Sequence, residues 1–245
     1  MTGGFVKKFY KTAEAGPAPG GYVIRLDGKP LRTPLKKLVL LTSNALTEAI
    51  AREWAEQGAD IQPSSMPFTQ LANTMVDKAR GEDRAEMNEM LFEYGRSDLV
   101  CYFATHPADL VKKHQQHWMP LVAWLRDNYG IAFETVSGIQ YHQQPPDALE
   151  KLKKLIEGFG DADFTVMQAA SATTGSVVIA LALLEGKILP DEAYQAACVD
   201  EIYQLETWGE DVLARKRLDI IRSELTSIAR FRDLVRRSPA VSVHA

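Results

Sequence analysis

Cysteine is scarce: Cys101 and Cys198 are the only two in 245 residues, and both sit among apolar neighbours. That excludes a disulfide framework and points to reduced core thiols in a cytosol-like compartment. Long apolar runs are also missing. The richest, "SVVIALALLEG" from Ser176, falls well short of the roughly 20 residues a membrane span needs, so it reads as a buried helix. No glycine-rich cradle leads into a helix N-terminus, so "DGKP" reads as a turn rather than a phosphate loop. The N-terminal "MTGGFVKKFYK" has no apolar signal core and no Arg/Ser-rich amphipathic stretch, so neither a secretory signal nor a transit peptide is expected. A strong charge imbalance is absent too: the formal net charge of −4 gives no reason to expect nucleic acid or membrane partners.

What is present suits a soluble globular chain, with 46% hydrophobic and 24% charged residues. The expected fold is α+β, a small N-terminal sheet-plus-helix domain over 1–62 followed by a larger all-helical domain over 63–237. Residues 238–245 are expected to form a disordered tail. In the first domain, Tyr22, Ile24 and Leu26 alternate along a strand that Asp27-Gly28 turns into a hairpin. Leu38–Leu41 reads as a short buried strand. Thr42 or Ser43 caps a helix carrying Leu46, Ala49, Ile50 and Trp54, with Gly58 as its left-handed stop. Trp54 is read as the anchor that packs this helix on the sheet.

Beyond Pro63 strand signals nearly vanish. Helical stripes run through Phe68 to Ala79, Met87 to Tyr94, and Leu110 to Leu125 with Pro120 inside. Further helices are expected at about 147–158, 163–185, 191–207 and 216–235. No internal repeat or low-complexity tract interrupts them.

Chemistry is harder to place. His114 and His117 share a helical face but lack the further ligands of a zinc site, so no metal is expected. Ser176 lacks a nucleophile elbow, and Cys101 is flanked by apolar residues. The acidic stretch "DEIYQLETWGEDVLAR" is the remaining candidate, with Glu201, Glu206, Trp208, Glu210 and Asp211 as its site residues. Between Ile188 and Ala214 there are seven acidic residues and no Lys or Arg, whereas Arg215–Arg237 carries eight Arg or Lys against three acids. Three readings stay open. The acids pair with the basic helix, they rim a docking surface around Trp208, or Glu206 and Glu210, one turn apart, share a proton in catalysis.

Eight stretches in register carry a resemblance: "KKFYK", "LDGKPLRTP", "AIAREWAEQG", "MPFTQLANTMVD", "YGRSDLVCYFA", "HWMPLVAWL", "TTGSVVIALALLEG" and "DEIYQLETWGED". Together they resemble the ATP12 family, assembly chaperones of the F1 sector of ATP synthase, over residues 5 to about 213. The resemblance implies a small α/β domain followed by a helical one, no catalysis and no cofactor. The implied partner is the unassembled F1 α subunit, shielded until β replaces it; the free chain is expected to be monomeric. It attaches importance to Trp54 and to the acidic positions Glu210 and Asp211. A chain starting almost directly at "FVKKFYK" is expected to be a bacterial cytoplasmic member, relatives in eukaryotes being mitochondrial. The alternatives are another interaction scaffold, or a small-molecule enzyme using the acidic cluster 200–211.

Overall fold

The computed structural model describes residues 6–237. The chain forms two compact units, one built from the stretch up to Asp83 together with the stretch from Arg230, the other from Arg84–Ala229. The fold class is α+β, as expected from the sequence.

The first unit holds β1 (Val6–Lys7), β2 (Ala13–Ala18), β3 (Gly21–Leu26), β4 (Lys29–Pro30), β5 (Leu40–Leu41), α1 (Asn44–Ala55), β6 (Asp60–Ile61) and α2 (Pro67–Thr74). Strand β3 is central, antiparallel to β2 on one side and to β4 and β5 on the other. The β3–β4 register (Leu26 opposite Lys29) leaves Asp27 and Gly28 as a two-residue turn, with φ of 47° and 80°. Those values belong to the left-handed region that Asp-Gly tolerates. The Asp27 carboxylate accepts from the Lys11 and Thr12 amides (2.9 and 2.8 Å), bonds that hold its pKa below the usual range.

Ser43 caps α1, its Oγ accepting from Leu46 N, and the helix buries Leu46, Thr47, Ile50 and Ala51 against β2 and β3. It ends on Glu56 at φ −77°, so Gly58 is not the left-handed stop expected. Lys8 performs that role instead, its ammonium donating to the carbonyls of Ala55 and Gln57. Strand β2 was not expected because Ala, Gly and Pro carry almost no strand signal. It is held by its ladder to β3, with Pro17 on an edge, where a missing donor costs nothing.

The second unit holds α3 (Arg84–Arg96), β7 (Tyr102–Phe103), α4 (Ala108–Tyr129), β8 (Val136–Ser137), α5 (Pro146–Gly158), α6 (Asp161–Thr174), α7 (Val177–Leu184), α8 (Pro190–Ala197), α9 (Val199–Trp208) and most of α10 (Val212–Arg236). All eight residues of α7 are buried, and α3, α4, α6 and α8 pack around it. At its N-terminus lies Asp98, fully buried. One oxygen takes the Val177 and Val178 amides (2.8 and 3.2 Å), the other the Ser176 hydroxyl and the Val100 amide. A carboxylate there satisfies orphan N–H groups and meets the positive end of the helix dipole. Gly95 lets α3 approach α5 closely, since a Cβ there would collide with Leu152.

Several boundaries differ from expectation. The run 163–185 divides at Gly175 (φ 71°), where Ser176 caps a new helix, and 191–207 divides at Cys198. The apolar stripe runs on through both breaks and so hides them. A short parallel pair, β7 with β8, lies beyond the expected end of the strands. Along the chain the units divide at Asp83/Arg84 and again at Ala229/Arg230, and within the first unit Glu53 of α1 holds the start of α2. The expected tail, 238–245, lies outside the described residues.

Candidate functional site

Helix α9 buries Val199 and Leu205 and stops where Gly209 takes φ 96°, ψ 176°, a backbone region essentially open to glycine alone. Asp211 then starts α10, its Oδ1 accepting from the Leu213 and Ala214 amides at 2.8 and 2.9 Å. Helix α10 therefore begins at Val212, four residues earlier than expected. The sharp turn leaves Trp208 76% exposed, Val212 81% and Leu213 79%, three large apolar side chains within six residues. Glu206, Glu210 and Asp211 are exposed beside them in the chain.

The acids have distinct partners. Glu210 pairs with Arg215, which holds its carboxyl below the usual range. Asp191 makes a two-pronged pair with Arg222 at 2.7 Å for each bond, with the same effect on its pKa. Glu206 reaches Lys113 of α4 at 2.9 Å. Asp200 meets Nε2 of the buried His114, whose Nδ1 accepts from Ala104 N at 3.0 Å. Glu192 bonds Leu189 N at the start of α8. Glu201 is half-buried and, among the described residues, has no ion-pair partner. The basic helix thus takes two of the acids, Asp191 and Glu210. Because the helix stops at Trp208, Glu206 and Glu210 do not lie one turn apart on a single helix, and the shared-proton arrangement is not formed.

His114 and His117 do not converge on an ion. His114 is spent on Ala104 and Asp200, stacked 3.8 Å from Trp118, and no group of three or more His, Cys, Asp or Glu among the described residues suits a metal. Burial pushes the Cys198 thiol up to about 12 and the Cys101 thiol higher still, so both stay protonated. No helix among the described residues is long and apolar enough to cross a membrane.

Trp54 sits in the first unit, half-buried. Its ring meets Tyr10 edge-on at 5.5 Å, its carbonyl accepts the Tyr10 hydroxyl at 2.7 Å, and its indole N–H is buried without a partner. Its neighbours in the A-x-E-W-x-x-Q stretch do more. Glu53, 8% exposed, takes the Phe68 and Thr69 amides (2.7 and 2.8 Å) and the Thr69 hydroxyl (2.6 Å). Gln57 bonds Ser65 Oγ and the Gln62 amide. Sequence reasoning passed over Glu53 and Asp98. The available signal was a carboxylate in an apolar stripe, "AREWA" and "SDLVC".

This geometry has close counterparts. The Atp12 crystal structure from Paracoccus denitrificans superposes with a TM-score of 0.86 at 30% identity, covering 94% of this chain and 98% of that one. Atu1473 from Agrobacterium tumefaciens gives 0.82 at 32% identity, covering 91% and 85%. The fold is therefore that of an Atp12-type protein. In sequence, residues 7–126 match the ATP12 chaperone protein family. Mitochondrial ATP12 proteins match at 19% identity in Schizosaccharomyces pombe (83% of this chain, 74% of the relative) and 21% in Saccharomyces cerevisiae (78% and 72%). The chain belongs to the ATP12 chaperone family.

Proposed function

We propose that this chain, an ATP12-family chaperone of ATP synthase assembly, binds the unassembled F1 α subunit and covers its interface until β replaces it. The observation that supports this most is the exposure of Trp208, Val212 and Leu213, close together in the chain and interleaved with exposed carboxylates. Exposed apolar patches of this kind mark interaction surfaces, and a buried aromatic commonly carries most of the binding energy. Because Glu206 and Glu210 already have cationic partners within the chain, the exposed apolar residues are the adhesive part and these carboxylates the charged surroundings. Rim charges steer and select more than they add affinity. A holder that must yield to β suits micromolar affinity, roughly −8 kcal/mol. The setting proposed is the bacterial cytoplasm, with the free chaperone monomeric. The acidic segment as catalyst is disfavoured by geometry: Glu210 is held ionised by Arg215 and Asp211 is consumed as a helix cap.

The test is Trp208→Ala, with binding to purified α subunit and thermal melting measured on the same sample. At 76% exposed, Trp208 contributes little to the fold, so the melting temperature should hold while affinity falls about 30-fold, as loss of a hot-spot aromatic implies. Wild-type protein that neither binds α nor slows its aggregation would overturn the proposal.

A further inference from the structure

We propose that residues 29–38, the segment between β3 and β5, form a second docking element, one that takes an acidic face of the client. This rests on the client reading above but uses a different part of the chain. The segment carries Lys29, Arg32, Lys36 and Lys37 and no acidic residue. All four are exposed, and none forms an ion pair among the described residues, unlike Arg215 and Arg222 on α10. Leu35 and Leu38 are exposed between them, at 61% and 38%. The footprint is thus basic and apolar together, opposite in sign to the surroundings of Trp208.

The segment is also preorganised, which lowers the ordering cost of binding. Thr33 is buried and donates its hydroxyl to Asp77 at 2.6 Å, while Asp77 also accepts the Leu35 amide. Thr33 Oγ1 accepts the Lys37 amide, and Thr33 N donates to the Lys37 carbonyl at 2.9 Å. Arg32 bridges to Leu38 through the backbone and donates its guanidinium to the Lys36 carbonyl. Lys36 sits at φ 63°, a strained setting for a residue with a side chain, held by these surrounding bonds. The scaffold uses Thr33, Asp77, Arg32 and the backbone. The ammonium groups of Lys29 and Lys36 have no part in it. The Lys37 ammonium is engaged, donating to the Asp77 carbonyl at 3.0 Å, so Lys29 and Lys36 supply the exposed, uncommitted charge, and on a backbone held in place they are complementary to an acidic surface. The segment has no Trp or Tyr of the sort that anchors a loop at a lipid interface, and the chain's net charge of −4 opposes an anionic membrane.

The experiment compares wild type with K29E/K36E and K29Q/K36Q for binding to purified α subunit at low and high salt, alongside melting. Charge reversal should weaken binding about tenfold or more, with a smaller loss for the Gln pair, a shallower salt dependence and an unchanged melting temperature. The Gln pair introduces no new charge near Asp77, so it decides the matter if the Glu pair melts early. Variants that bind like wild type, while Trp208→Ala does not, overturn the segment's role alone. Wild type failing to bind α overturns this assignment and the proposed function together. Wild type sedimenting with phosphatidylglycerol-containing vesicles, lost in K29E/K36E while α binding is untouched, would give the segment to a membrane and overturn the acidic-client assignment.

Discussion

Glu53→Gln should loosen the first unit without touching any exposed surface. Glu53 is 8% exposed, and its two oxygens accept three bonds at the start of α2, two from the Phe68 and Thr69 amides and one from the Thr69 hydroxyl. A glutamine keeps one acceptor and turns an NH2 toward donors that had an oxygen. One orphaned buried N–H costs about 1–3 kcal/mol. Loss of a negative charge at a helix N-terminus costs a further ~0.3–1 kcal/mol. Against this, burial raises the Glu53 pKa above the ordinary glutamate range, so the ionised wild type carries a desolvation penalty that Gln lacks. The net expectation is about 2 kcal/mol for Gln and about 4 kcal/mol for Ala, which strands both amides. Urea unfolding gives the size, and hydrogen exchange at Phe68 and Thr69 gives the place. A pH series supplies a signature. With the folded pKa raised, the folded state holds the proton more tightly, so stability from this group falls as pH rises from the unfolded to the folded value. Glu53→Gln lacks that slope. Equal stability of wild type and Glu53→Ala, with both amides still protected, would refute the argument.

Asp98 gives a wider pH window: burial pushes its pKa up from 3.8 to about 6, so wild-type stability should lose roughly 3 kcal/mol across that range. Asp98→Asn should be flat there, and parallel pH–stability curves for the two proteins would contradict this. Trp54→Arg should lower stability by about 1–3 kcal/mol through loss of the Tyr10 ring contact and buried area. The half-buried site lets the guanidinium reach water and limits the damage. If that variant melts like wild type yet fails to bind α, Trp54 belongs to a contact surface instead. Glu210→Lys replaces an exposed pair with Arg215 by repulsion; melting should shift little, and α binding should weaken and become less salt-sensitive. A melting loss that accounts for all the lost binding would assign Glu210 to the fold.

What could be read in advance followed from residues with narrow conformational tastes. Asp27-Gly28 announces its hairpin and Ser43 its helix, because each constrains the backbone locally. The Gly175 break was hidden, since α7, buried all round, shows no polar face to mark where it begins. Strand β2 is written in Ala, Gly and Pro and owes its existence to its partner strand. The acidic stretch stood out, but composition assigns no partners. Only the fold sends Glu206 to Lys113 and Asp191 to Arg222, and only the Gly209 turn lifts Trp208 out of the core where an aromatic is normally placed. Glu53 and Asp98 were passed over for the converse reason, that a carboxylate is normally placed outside.

The return of the chain to its first unit sets a timetable. Ser43 of the α1 cap donates its hydroxyl to the Leu234 carbonyl at 2.6 Å, across 191 positions of sequence, and Arg230 lies over the Phe68 ring at 5.6 Å. During synthesis, α1 and its sheet leave the ribosome long before those partners exist. The second unit, drawn from one uninterrupted stretch, can close first. The earliest-made part of the chaperone is therefore the last to be sealed, and a nascent chain stalled before Arg230 carries an open N-terminal unit.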